Sequence, residues 1–168
     1  LDPHHEPQSP VAIGGKLVVT CRRGTVACFD LESRTWAVQS HGLWLLSPPV
    51  SLGDYAQFHA IDSASGARAA ALYDPKTNST EFVPLNGETV DLGRNDLMGA
   101  YWGRPPLTNG SYCVYAAEYG EFVYLVRRGG IQEHVLPAQY RQRVQPRYAI
   151  MERDTILSAS ADGLTVYN

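Results

Sequence analysis

Pro10-Val11-Ala12-Ile13-Gly14-Gly15-Lys16-Leu17-Val18-Val19-Thr20-Cys21-Arg22-Arg23-Gly24-Thr25-Val26-Ala27-Cys28-Phe29-Asp30 sets three β-prone runs between glycine-bearing turns. Val11–Ile13, Lys16–Cys21 and Thr25–Leu31 read as strands, with Gly14-Gly15 and Arg22-Arg23-Gly24 as turns. A fourth strand, Thr35–Gln39, follows the turn Glu32-Ser33-Arg34. So many turns in so short a stretch leave no room for a helix.

The plan recurs along the chain. Pro49-Val50-Ser51-Leu52-Gly53 leads into Tyr55–Ile61, Ala67–Tyr73 and Thr80–Leu85, and Pro106-Leu107-Thr108-Asn109-Gly110 into Tyr112–Ala117, Glu121–Arg127 and Gln132–Leu136. Pro146 opens a last unit with strands Tyr148–Met151, Thr155–Ser160 and Leu164–Tyr167. The leading prolines stand 39, 57 and 40 residues apart. Periods near 40 mark propeller blades, each a four-stranded unit that cannot bury its faces alone. The expectation is an all-β fold: a partial or small β-propeller of about four antiparallel blades, near 10–48, 49–105, 106–145 and 146–168, behind an N-terminal extension 1–9. A β-sandwich or barrel built from the same hairpins is the alternative. The last unit lacks a fourth strand, so a continuation of the chain or a second copy is expected to complete the ring.

Composition narrows the function classes. The 168 residues have a net charge of −3 and a pI near 5.9, so no long-range field draws the chain to nucleic acid or to an anionic membrane. No run of eighteen apolar residues occurs, and Leu1–Gln8 lacks the basic-then-apolar pattern of a signal peptide. Cys21, Cys28 and Cys113 are read as buried free thiols, since a hairpin closing at 22–24 puts Cys21 opposite residue 25 or 26 and out of register with Cys28. Free thiols favour a reducing compartment, cytoplasmic or nuclear. Two glycosylation sequons at expected turns, Asn78-Ser79-Thr80 and Asn109-Gly110-Ser111, point weakly the other way.

Gly14-Gly15-Lys16-Leu17-Val18-Val19 with Phe29-Asp30-Leu31-Glu32-Ser33-Arg34-Thr35-Trp36 resembles a kelch repeat, as does Leu72-Tyr73-Asp74-Pro75-Lys76-Thr77-Asn78-Ser79-Thr80-Glu81-Phe82. The resemblance implies a kelch-like β-propeller, in the style of plant proteins joined to F-boxes. It also implies that an aromatic-Asp pair ends the third strand of a blade, and that a Trp, here Trp36 or Phe82, begins the fourth and packs between blades. Thr20-Cys21, Ala60-Ile61 and Ala116-Ala117 stand where the family usually has paired glycines.

Chemistry is sparse. His4-His5, His41, His59 and His134 have no Cys or carboxylate at ligand spacing, and no cofactor or metal site is expected. Glu118 and Asp162 would serve a hydrolase only if they faced a central channel, and as turn residues they read as solvated. Aromatic and arginine residues make the stronger case. In an up-and-down blade the second turn and the blade-to-blade connection share one end, which gathers Arg22, Arg23, His41, Trp44, Arg94, Tyr101, Trp102, Arg104, Tyr119, Tyr140, Arg141 and Arg143. The connection 86–104 is the longest, and a short helix at 96–100 fits within it. The expected function is a non-enzymatic module that binds a protein or peptide, acidic or phosphorylated, through this end. A carbohydrate-binding lectin, and after it a channel-site hydrolase, are the alternatives.

Overall fold

A computed structural model describes residues 6–42, 44–85, 106–108, 112–116, 122–127, 130–135, 148–152, 155–160 and 163–167. Among these, all regular structure is β-strand, and every strand pairing is antiparallel. The chain divides into two compact units, Leu1–Pro106 and Leu107–Asn168.

In the first unit, β1 (Val11–Ile13), β2 (Lys16–Cys21), β3 (Thr25–Asp30) and β4 (Trp36–Ser40) form sheet 1 in that order. Sheet 2 holds β5 (Trp44–Leu46), β6 (Val50–Leu52), β7 (Tyr55–Asp62), β8 (Arg68–Asp74) and β9 (Ser79–Pro84), with both β5 and β6 on β7. In the second unit, β10 (Leu107–Thr108), β11 (Tyr112–Ala116), β12 (Phe122–Arg127) and β13 (Gly130–Val135) form sheet 3. Sheet 4 is β14 (Tyr148–Glu152), β15 (Thr155–Ser160) and β16 (Gly163–Tyr167).

Turn chemistry sets the register. Gly14 and Gly15, at φ 53 and 77, supply the two left-handed residues of a tight hairpin between β1 and β2. Between β3 and β4 the Asp30 carboxylate accepts the Glu32 and Ser33 amides at 3.0 and 2.9 Å, and Arg34 takes φ 56. Asp74 repeats the device at Lys76 (2.7 Å), with Asn78 at φ 52. Asn78 is thereby committed: half-buried, it accepts the Tyr73 hydroxyl at 2.8 Å, and its carbonyl accepts the Gln39 side-chain amide.

In sheets 1 and 2 the strand that precedes the first hairpin is broken by proline. β5 pairs with 60–62 and β6 with 55–57, leaving Ser47-Pro48-Pro49 between them, because proline has no N–H for the ladder. Sheet 1 repeats this: β1 pairs with 16–18, and beyond Ser9-Pro10 the residues Glu6–Gln8 return to β2. There Pro7 bridges Cys21 and the Gln8 amide donates to Thr20 O at 2.9 Å. β5 was not expected from the sequence, and neither was this pairing of 6–8.

Alternation gives each sheet two faces. Val18, Val26 and Cys28 of sheet 1 meet Ala56, Phe58, Ala60, Ala69, Ala71 and Tyr73 of sheet 2 in one buried cluster with Ile13 and Leu46. Burying Phe58 alone is worth roughly 2–3 kcal/mol. The small alanines of sheet 2 let the two sheets approach. Polar bonds stitch the same junction: Thr20 Oγ1 donates to Ser47 O (2.8 Å), Gln8 Nε2 to Leu46 O (2.7 Å), and Thr80 Oγ1 to Gln39 Oε1 (2.7 Å).

Aromatic-Asp pairs, Phe29-Asp30 and Tyr73-Asp74, do end β3 and β8. The pairing of the fourth strands differs from expectation. Trp36 lies across from Phe29, but Thr80 lies across from Tyr73, so Thr80 fills Trp36's place and Phe82 that of Val38. Trp36 is 53% exposed, resting on Phe29 with ring centroids 4.9 Å apart. All three cysteines are buried and free. Cys21 sits across from Thr25, and Cys28 across from Val18 and Ala37. Burial pushes the Cys113 thiol up to about 11 and raises that of Cys21.

Candidate functional site

At one end of the first unit, the β2–β3 turn and the connection from β4 to β5 lie against each other. The His41 amide donates to Gly24 O at 2.8 Å, and the Leu46 amide to Arg22 O at 3.0 Å. A Cβ on Gly24 would stand 2.8 Å from Trp44 O, and its φ of 77 is left-handed, so only glycine seats this turn without strain. The backbone that carries Arg22 and Arg23 is therefore fixed to the backbone that carries His41 and Trp44.

Their side chains divide. Arg23 is exposed. Arg22 Nη1 lies 3.3 Å from Glu6 Oε2, an ion pair with side chains 35% and 59% exposed, weak in water. His41 and Trp44 turn to packing: Trp44 stacks on Phe82 with centroids 4.8 Å apart and planes 16° apart, and His41 meets the same ring edge-on at 5.0 Å. Burial lowers the His41 pKa, so it is neutral at pH 7. Its Nε2 is buried and finds no partner among the described residues.

Register brings an acidic turn to the same end, since Asp62 closes β7 directly across from Trp44. The Asp62 carboxylate accepts the Ala64 amide (2.9 Å) and the Ser65 hydroxyl (2.8 Å), and these bonds, the Ala64 amide foremost, hold it below the usual carboxylate range. Glu6 and Asp62 make this end mixed in charge where the sequence suggested a basic one. Neither they nor Phe82 were among the expected residues. Asp62-Ser63-Ala64-Ser65-Gly66 carried a readable turn signal, whereas Glu6 became legible only through the pairing of 6–8 with β2.

Of the eleven partner-binding residues expected from the sequence, Tyr101, Trp102, Arg104, Tyr119, Tyr140, Arg141 and Arg143 lie outside the described residues. So do Arg94, Glu118, Asp162, Asn109, His4, His5 and the 96–100 helix. Among the described residues no group of three His, Cys, Asp or Glu side chains is placed to hold a metal.

No protein-family model matches the chain, and no curated protein matches it. Solved structures do. The N-terminal domain of Nup159 is similar at a TM-score of 0.53 and 12% identity, over 91% of this chain and 38% of that one. Oligogalacturonate lyase in complex with manganese is similar at 0.60 and 13%, over 95% and 47%. BamB from Moraxella catarrhalis gives 0.47 and 14%, over 95% and 41%. These are β-propeller proteins. The chain has the fold of a partial β-propeller, and it spans less than half the length of the structures it matches.

Proposed function

We propose that this chain is part of a non-enzymatic, kelch-like propeller that binds a protein or peptide through the end of the first unit bearing Arg22 and Arg23. The observation that supports this reading is the seating of the 22–24 turn on the 41–46 connection, by the His41–Gly24 and Leu46–Arg22 bonds. A guanidinium held on fixed backbone loses less entropy on binding than one on a mobile loop. Arg23 is exposed, and Arg22 pairs with an exposed carboxylate, Glu6, that a stronger anion displaces. An acidic or phosphorylated segment is the matching partner. The lectin alternative is weaker at this end, because Trp44 already spends one ring face on Phe82.

The test uses two fluorescently labelled ten-residue peptides, one glutamate-rich and one carrying phosphoserine, against the wild-type chain and Arg22→Ala/Arg23→Ala. Binding that weakens by about tenfold or more with an unchanged melting temperature supports the reading. Binding by wild type that the double variant leaves intact, or binding of neither peptide, defeats it.

A further inference from the structure

Sheet 1 is apolar on both faces, and only one is covered by sheet 2. Counting from the equivalent turns at Asp30 and Asp74, the register equates Ala27, Phe29, Trp36 and Val38 with Ala71, Tyr73, Thr80 and Phe82. In sheet 2 that face is packed against sheet 1. In sheet 1 its β4 side meets solvent: Trp36 is 53% and Val38 57% exposed, beside half-buried Leu17, Val19 and Phe29, while Ala27 between them is buried. A Trp and a Val two residues apart on β4, flanked by apolar residues of β2 and β3, mark an interaction surface. The repeat says which kind, since the same face one blade later receives another sheet.

The matching surface is present in the chain's own register. Sheet 1 covers sheet 2 with the face holding Val11, Val18, Val26 and Cys28. In sheet 4 the register positions that correspond to these and to Ile13 are Ile150, Leu157, Leu164, Val166 and Glu152, apolar at every place but Glu152 beside the turn. Sheet 4 therefore carries the covering face and sheet 1 the face to be covered.

We propose that the outer face of sheet 1, centred on Trp36 and Val38, docks sheet 4 of a second copy of this chain, and that the two copies do so reciprocally about a two-fold axis. Each copy then covers the other's exposed blade face, and the assembly closes without further addition. The inference is independent of the end surface proposed above, because it uses the sheet faces and not the turns.

Sedimentation velocity of the 168-residue chain across the micromolar range is the test. The expected result is a concentration-dependent shift from 18.5 kDa to twice that mass. Trp36→Glu and Val38→Lys should each raise the dissociation constant on the order of tenfold or more. Both positions are largely exposed, so folding is retained and is checked by circular dichroism. Glu81→Lys, at an exposed position of β9, should leave the dimer intact. Slowed hydrogen exchange in both β4 and β15 on dimerisation identifies the surfaces. A single 18.5 kDa species at every concentration overturns the proposal. So does a dimer indifferent to Trp36→Glu and Val38→Lys, or open-ended growth beyond two copies.

Discussion

Phe29 and Tyr73 hold the same place in two successive sheets, each ending a third strand just ahead of the aspartate that makes the turn. Tyr73 is 1% exposed and donates its hydroxyl to Asn78, while Phe29 lies half-buried under a Trp36 that stands in water. The repeat thus supplies the apolar side chain, and the neighbouring sheet decides whether it is dry. The opposite faces differ in kind. Sheet 1 places Val18 and Thr20 where sheet 2 places Gln57 and His59. Thr20 spends its hydroxyl on Ser47 O, whereas fully buried Gln57 has an amide with no partner among the described residues.

If covering by a neighbour is what separates the two sheets, truncation should cost far more in the covered one. Tyr73→Ala removes a fully buried ring and one hydrogen bond and should destabilise by about 3–5 kcal/mol. Trp36→Ala, on the exposed face, should cost about 1 kcal/mol or less in the monomer. Urea unfolding of both variants at low protein concentration measures the gap. Equal costs would break the comparison.

Next in size is the turn that joins sheet 1 to sheet 2. Gly24→Ala forces a side chain into left-handed backbone and against Trp44 O, and should cost about 2–3 kcal/mol. Gly14→Ala, also at positive φ but with nothing within 4 Å of the added Cβ, should cost about 1 kcal/mol. Thermal melts of the pair separate conformational strain from the close approach of two backbones. If the two fall together, the seating of 22–24 on 41–46 contributes nothing to stability.

Sheet 1 was legible strand by strand because Gly14-Gly15, the 22–24 turn and Asp30 each leave a local signature, and alternation fixes what lies between. β5 was not, since Trp44-Leu45-Leu46 is too short to show a period and precedes the prolines that look like a start. Phe82 was matched to Trp36 by residue type, and only the pairing of strands reveals Thr80 in that place. At the candidate site, the rule that alternate turns share an end puts Arg22, Arg23, His41 and Trp44 together, and backbone bonds tie 22–24 to 41–46. Which of them face a partner was beyond the sequence, because the stacking of Trp44 on Phe82 joins residues 38 positions apart and no local pattern records it.

His59 offers the finest probe of the two covered faces. Its pKa is pushed down to about 3, first by burial and then by the charge of Arg68. In the unfolded chain a histidine titrates near about 6.5, so below that pH the unfolded state takes up a proton that the folded state refuses. Stability is therefore full above about pH 6.5 and falls as pH drops toward 3, by about 1.4 kcal/mol per unit. The burial-lowered pKa of His41 adds in the same direction. Thr20, the counterpart of His59 in sheet 1, has no proton to gain, so His59→Thr transplants the chemistry of one sheet into the other. Urea midpoints at about pH 7, 5.5 and 4.5 should show the wild type losing stability over this interval and the variant losing about one proton's worth less per unit. A variant as acid-sensitive as the wild type would mean that the burial of His59 does not govern the response, and that carboxylates such as Asp30 and Asp62, held low by their turn amides, do.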